Sequence, residues 1–236
     1  MGDQPLLRIS LPLAVCAAVF PFVLVAHQDE LPPGTLPAAA TAALAASLDA
    51  ATAHPKHVWR DTPALNSDGS VNAFVEIPRG ERRKWEFDMK LNALALDRVI
   101  PEDLGGYPVN YGFVPQTVSY DGDPFDALVL GEPLPRGQLV RGVIVGLMLM
   151  EDEKGLDSKV VLARSTSGGD PRQALAERDR AAIAGFFMRY KQHEPGKFSR
   201  VPGWASPPAG RAHVATTHAF FLQCRERAHS PCDVSF

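Results

Sequence analysis

The 236-residue chain reads as an α+β protein whose strands bend into a closed or nearly closed β-barrel with α-helices flanking it. Three observations predict this. Between residues 71 and 163, short segments alternate apolar and polar side chains with period two or run continuously apolar, as half-buried and fully buried strands do. The long run Val140–Met150 carries Gly142 and Gly146, which let a strand bend. Residues 170–192 then change to helical spacing, opening on Asp170-Pro171, an N-cap followed by the residue best tolerated at the first helical position.

Hydrophobic content of 45% and charged content of 22% suit a globular domain able to bury a core without staples. A net charge of -3 argues against a mainly electrostatic nucleic-acid binder, which needs a basic face to neutralise phosphates. A small anion held through metals remains compatible with that charge.

In chain order, Arg8 precedes the uncharged run Leu11–Ala26, which ends abruptly at His27, Gln28, Asp29 and Glu30. The run is shorter than the roughly 20 residues of a membrane helix and contains Pro12 and Pro21, so residues 1–26 read as a secretory signal peptide. Export, to a bacterial periplasm, is the expected localisation, with no membrane association once the signal is removed. Loss of Cys16 with the signal leaves Cys224 and Cys232, an even pair expected to form a disulfide pinning the tail. Residues 27–57 are Pro- and Ala-rich and predict a linker or a loosely docked helix. His54 and His57 have no carboxylate or cysteine partner nearby and read as surface histidines. Residues 58–236 form the remaining domain.

Strands begin at Val71 with VNAFVEIP, in which Glu76 is an isolated carboxylate in apolar surroundings. After the turn Pro78-Arg79-Gly80, Lys84, Glu86 and Asp88 alternate with Trp85, Phe87 and Met89, predicting a hairpin. ALALDRVI is a third strand and carries Arg98. In YPVNYGFVP, Pro108, Gly112 and Pro115 exclude a helix and leave Tyr107 and Tyr111 on extended chain; Phe113 suits packing better. The turn carrying Asp121, Asp123 and Asp126 leads into a short buried strand. Val140–Met150 runs into the acidic turn with Asp152, Glu153 and Asp157, followed by Lys159 at the head of another strand. Leu175, Ile183, Phe186 and Phe187 form the apolar stripe of the long helix, and Tyr190 and Lys191 lie in its last turn. After KFSRVPGW and a Pro/Gly-rich linker, a shorter helix is expected over 211–227.

Carboxylates at 121, 123 and 126, with a second set at 152 and 157, are hard oxygen donors of the kind that Mg²⁺ and Mn²⁺ prefer. A calcium loop counted from Asp121 fails because Phe125 and Asp126 occupy the places of its fifth ligand and glycine. Two metals about 3.5–4 Å apart can polarise a phosphoryl oxygen and make hydroxide near neutral pH. Lys84, Arg98, Lys191, Tyr111 and Tyr190 could then hold the other oxygens of a phosphate compound.

The series E-I-P, K-W-E, D-R, YPVNYGF, DGDPFDALVL, MEDEKGLDSK and RYK, in this order and spacing, closely resembles the soluble family I inorganic pyrophosphatases over about Val71–Trp204. The resemblance implies a five-stranded, OB-like closed barrel that converts inorganic diphosphate and water to two phosphates with Mg²⁺. It implies that Asp121, Asp126 and Asp157 hold the activating metal, Asp126 bridging to a second, and that Asp152 with Asp157, and Glu76, receive metals arriving with substrate. Asp123 would accept the proton of the attacking water. Lys84, Arg98, Tyr190 and Lys191 would bind phosphate, Tyr111 would lie near the electrophilic one, and Glu86, Tyr107, Glu153 and Lys159 would support the site, Lys159 beside substrate. Trp85 stands where the family usually has tyrosine. Bacterial relatives commonly form homo-oligomeric hexamers and often place histidines where this chain has Gly185 and Arg189. Two other readings compete: an OB-like module binding metals or nucleotides, which would need aromatics along a basic groove, and a different metal-dependent phosphohydrolase.

Overall fold

The computed structural model describes residues 56–164 and 175–226. A short helix α1 (Val58–Asp61) comes first, followed by strands β1 (Val71–Ile77), β2 (Arg83–Asp88), β3 (Ala93–Val99), β4 (Asn110–Phe113), β5 (Asp126–Leu130), β6 (Leu139–Asp152), β7 (Gly155–Leu156) and β8 (Lys159–Ala163). Helix α2 (Glu177–Arg189), strand β9 (Ser199–Ala205) and helix α3 (Pro207–Glu226) complete the order.

β1 pairs antiparallel with β4 on one edge and β6 on the other. β4 pairs with β5, β5 runs parallel to β8, and β8 returns antiparallel to β6. The five strands therefore close on themselves as a barrel, the α+β architecture expected. Closure depends on β6, whose first residues pair with β1 and whose middle pairs with β8 across a bulge between Ile144 and Gly146. Its far end, carrying Asp152, extends beyond the ring and is covered by β9 and β7.

β5 and β8 are buried on both faces, which is why their sequence is continuously apolar. Ala127, Val129, Val160 and Leu162 share a core cluster with Val214 of α3. The intervening Leu128 and Val161 pack with Ile183, Phe186 and Phe187 of α2. Two close backbone approaches need glycine: a Cβ on Gly112 of β4 would lie 1.8 Å from the Phe74 carbonyl oxygen, and one on Gly210 of α3 would lie 2.8 Å from Ile144 Cγ2. All described residues fall in one compact unit, Ala43–Phe236. No helix among them is long and apolar enough to cross a membrane.

Several expectations are corrected. β2 pairs with β3 in a separate two-stranded sheet rather than with β1; both edges of β1 are already occupied, so the turn at Pro78-Arg79-Gly80 cannot close a hairpin. The long helix begins at Glu177, after the extended Ala176, so it does not run continuously from Asp170-Pro171, which lies outside the described residues. It ends at Arg189, leaving Tyr190 and Lys191 just beyond its last turn. KFSRVPGW contains β9, an edge strand that tolerates Pro202 and Gly203. The final helix starts at Pro207, with proline at its first position rather than in a linker. His57 is half-buried rather than a free surface histidine: it caps α1, accepting from the Arg60 N–H at 3.1 Å, and its backbone N–H donates to Asp61. Residues 1–55, with the expected signal, linker and His54, lie outside the described residues.

Candidate active site

One end of the barrel opens into a cavity of about 370 Å³. Every site residue expected from the sequence lines it: Glu76, Lys84, Glu86, Arg98, Tyr107, Tyr111, Asp121, Asp123, Asp126, Asp152, Glu153, Asp157, Lys159, Tyr190 and Lys191. They come from the end of β1, the β2–β3 hairpin, β4 and the loop before it, the β4–β5 connection and the start of β5, the β6–β8 turn and the start of β8, and the residues after α2, segments far apart in sequence that barrel closure gathers.

Lys159, on β8 and almost wholly buried, donates to Asp126 Oδ2 at 2.5 Å and to Asp157 Oδ1 at 2.9 Å. Burial works against its charge, but the two carboxylates outweigh it and hold the ammonium protonated. Lys191 donates to Asp152 at 2.7 Å and Glu153 at 2.9 Å, joining the α2 exit to the β6–β8 turn. Burial opposes ionisation of Asp152, yet Lys191 and the Lys154 N–H hold its carboxyl below the usual range.

Lys84 pairs with Glu86 and, at 3.0 Å, with Asp97. Arg98 donates to Asp97 and Glu194 at 2.9 Å each and to the Tyr190 hydroxyl at 3.3 Å. The Tyr107 hydroxyl donates to that of Tyr190 at 3.0 Å. Burial pushes the phenols of Tyr107 and Tyr111 well above the usual range, so both remain neutral hydrogen-bonding groups.

The carboxylates crowd one another. Burial, then Asp126, push Glu76 well above the carboxylate range, while its Oε1 accepts from the Phe87 N–H at 2.7 Å. Burial raises Asp123 to about 6, with Asp121, Asp126 and Glu86 adding to it. Asp157 also reaches about 6, through burial and Asp126, against the pull of Lys159. Such a set of buried oxygen donors favours cations. Among the described residues, however, no three His, Cys, Asp or Glu side chains are already gathered closely enough to form a metal cage; Lys159 and Lys191 stand between the carboxylates instead.

The inorganic pyrophosphatase family model matches residues 73–221. The chain belongs to this family. The inorganic pyrophosphatase of Saccharolobus solfataricus is 37% identical over 159 residues, spanning 64% of this chain and 92% of that one. The Thermus thermophilus inorganic pyrophosphatase is 41% identical over 155 residues, spanning 61% and 86%. Among solved structures, an inorganic pyrophosphatase from Coxiella burnetii covers 68% of this chain and 99% of its own, with a TM-score of 0.63 and 36% identity. That from Thermus thermophilus covers 71% and 99%, with a TM-score of 0.64 and 36% identity.

Asp97 and Glu194, the two carboxylates that hold Arg98, were not among the expected site residues. Strand alternation puts Asp97 and Arg98 on opposite faces, but the register shifts between Lys84 and Trp85, where Arg98 opposes Lys84 and Leu96 opposes Trp85. Asp97 is thus the extra residue of a bulge, and both it and Arg98 reach Lys84's side of the cavity. The only sequence trace was the adjacent pair D-R. Glu194 lies in the turns after α2 and carries no motif. Tyr120, Lys154 and Lys197 also line the cavity.

Proposed function

We propose that this chain hydrolyses inorganic diphosphate to two orthophosphates, water attacking one phosphorus in line as the bridging oxygen leaves. The observation that carries the reading is the convergence, in a member of this family, of the buried carboxylates and the Lys84–Arg98–Tyr190–Lys191 set on one cavity sized for a small anion. The all-oxygen donor set and the mutual crowding of its carboxylates fit Mg²⁺, with Mn²⁺ as the alternative. Asp121, Asp126, Asp157, Asp152 and Glu76 would hold these ions, which when bound neutralise diphosphate charge and acidify water.

Asp123, adjoining that set, accepts the proton of the attacking water. Lys84, Arg98, Lys191 and Tyr190 hold the phosphate oxygens, and Tyr111 lies near the phosphorus under attack. Tyr107 orients Tyr190 through its hydroxyl, while Glu86 and Glu153 orient Lys84 and Lys191. Lys159 fixes Asp126 and Asp157 relative to each other and lies beside substrate. Competing readings as a nucleotide-binding module or another phosphohydrolase gain no support from the family match.

The same proposal takes residues 1–26 as an export signal to the periplasm, 27–57 as a linker and 58–236 as the catalytic domain, in a homo-oligomer testable by sedimentation velocity. The role of Asp123 is tested by Asp123→Asn, assayed for phosphate release and Mn²⁺ affinity. Most turnover should disappear with metal affinity largely kept; a variant that loses metal but keeps its intrinsic rate overturns the assignment.

A further inference from the structure

Gln116 lies five residues before Asp121 and outside every contact described above. Its φ is +50°, one of two non-glycine residues with positive φ among those described. A left-handed glutamine costs about 1–3 kcal/mol and persists only where its surroundings over-determine it. Here they do. Its N–H donates to the Trp59 carbonyl at 2.8 Å and its side-chain Nε2 to the Arg60 carbonyl at 3.0 Å, both on α1. Its own carbonyl accepts from His218 Nδ1 of α3 at 2.6 Å.

The neighbouring residues are held from the same two helices. The Trp59 indole N–H donates to the Thr117 carbonyl at 2.9 Å, and the Val118 N–H donates to the Thr217 carbonyl at 3.1 Å. Trp59 packs edge-on against Phe221, and His218 stacks on the same ring, so α1 and α3 form one clamp. α1 precedes the residues that the family model matches.

The turn beyond is bonded to itself: the Ser119 N–H donates to the Asp123 carbonyl at 2.8 Å and the Gly122 N–H to the Ser119 carbonyl at 3.0 Å. Its exit is fixed from the same residues, since the Phe125 N–H donates to Thr117 Oγ1 at 2.9 Å, so residues 116–118 bear on the turn at both ends. We propose that Gln116 is a positioning residue, held left-handed by α1 and α3 so that the turn presents Asp121 and Asp123 to the cations in the cavity, beside Asp126 at the start of β5. The inference rests on the proposed role of these aspartates.

The test uses the full chain. His218→Phe keeps a ring against Phe221 but removes the donor to Gln116; His218→Asn returns an N–H donor; Trp59→Phe removes the indole N–H together with part of a fully buried ring, a packing loss that the unfolding temperature reads separately. Mn²⁺ binding to each folded protein is followed by electron paramagnetic resonance, and the Mg²⁺ dependence of phosphate release and thermal unfolding are measured alongside. Loss of a group that orients metal ligands typically weakens binding about 10–100-fold. His218→Phe and Trp59→Phe should each weaken Mn²⁺ binding by about tenfold and raise the half-saturating Mg²⁺ concentration similarly, with His218→Asn recovering most of the loss. Variants that unfold at lower temperature yet bind Mn²⁺ as tightly as the parent overturn the proposal and leave the clamp merely structural. The Mn²⁺ measurement decides this even if the parent releases no phosphate, an outcome that would sink the catalytic reading alone. A parent that takes up no Mn²⁺ overturns both.

Discussion

Asn110 offers a test of how the fold holds its site. The side chain is fully buried and makes four bonds, all to backbone: Oδ1 accepts from the Arg79 N–H at 2.9 Å and the Leu134 N–H at 2.8 Å, while Nδ2 donates to the Val129 and Glu132 carbonyls at 3.0 Å each. It thereby ties the turn leading to β2 and the segment after β5 to β4. In Asn110→Ala all four groups lose their partner. The bonds to Leu134 and Val129 are wholly buried, and each orphaned group there costs about 1–3 kcal/mol; the other two lie nearer solvent and cost less. The expected loss is about 3–4 kcal/mol, a large part of the roughly 5–15 kcal/mol typical of a folded protein. Urea unfolding followed by tryptophan fluorescence should show a lower midpoint with an unchanged slope. Turnover per folded molecule should change little, since Asn110 does not line the cavity. A loss below about 1 kcal/mol would refute the reasoning, because four unmet backbone groups cannot cost so little.

Other perturbations follow from the same geometry. Gly112→Ala puts a Cβ 1.8 Å from the Phe74 carbonyl oxygen, so the β1–β4 pairing must shift; the variant should express as misfolded or strongly destabilised protein, and an unchanged melting temperature would contradict this. Glu81, bonded to Arg83 and to the Arg82 and Arg83 N–H groups, is held down at about 2 from an ordinary 4.5. A carboxylate lowered by folding adds stability above about pH 4.5 that is lost as the pH falls towards 2. Glu81→Gln should therefore flatten the acid side of the stability profile, and urea midpoints that fall in parallel with the parent's would refute it. Cys224 is buried and disulfide-bonded, while its expected partner Cys232 lies outside the described residues. Thiol labelling of protein recovered from an oxidising compartment should find neither cysteine free; two free thiols would end the pairing.

The barrel strands were legible because alternation and continuous apolar runs report directly on one-sided and two-sided burial. Pairing was not. Nothing in the residues around Pro78-Arg79-Gly80 shows that β1 has both edges filled by β4 and β6, segments that follow much later in the chain. The candidate site residues could be picked out because aspartates crowded into turns are visible wherever the chain folds, and all of them line the cavity. Asp97 escaped because a bulge reverses the face that alternation assigns to it. Gln116 escaped because a left-handed glutamine has no sequence mark; its conformation is imposed by helices 56 residues before and 102 residues after it. β9 was hidden by Pro202 and Gly203, which only an edge strand accepts.

The central claim is that this cavity binds diphosphate with Mg²⁺ and cleaves it. Phosphate release measured on diphosphate, ATP and a phosphate monoester, each with and without Mg²⁺, tests that directly. A strong preference for diphosphate that vanishes when Mg²⁺ is withheld is the expected result; equal rates on all three substrates, or none on diphosphate, would contradict it.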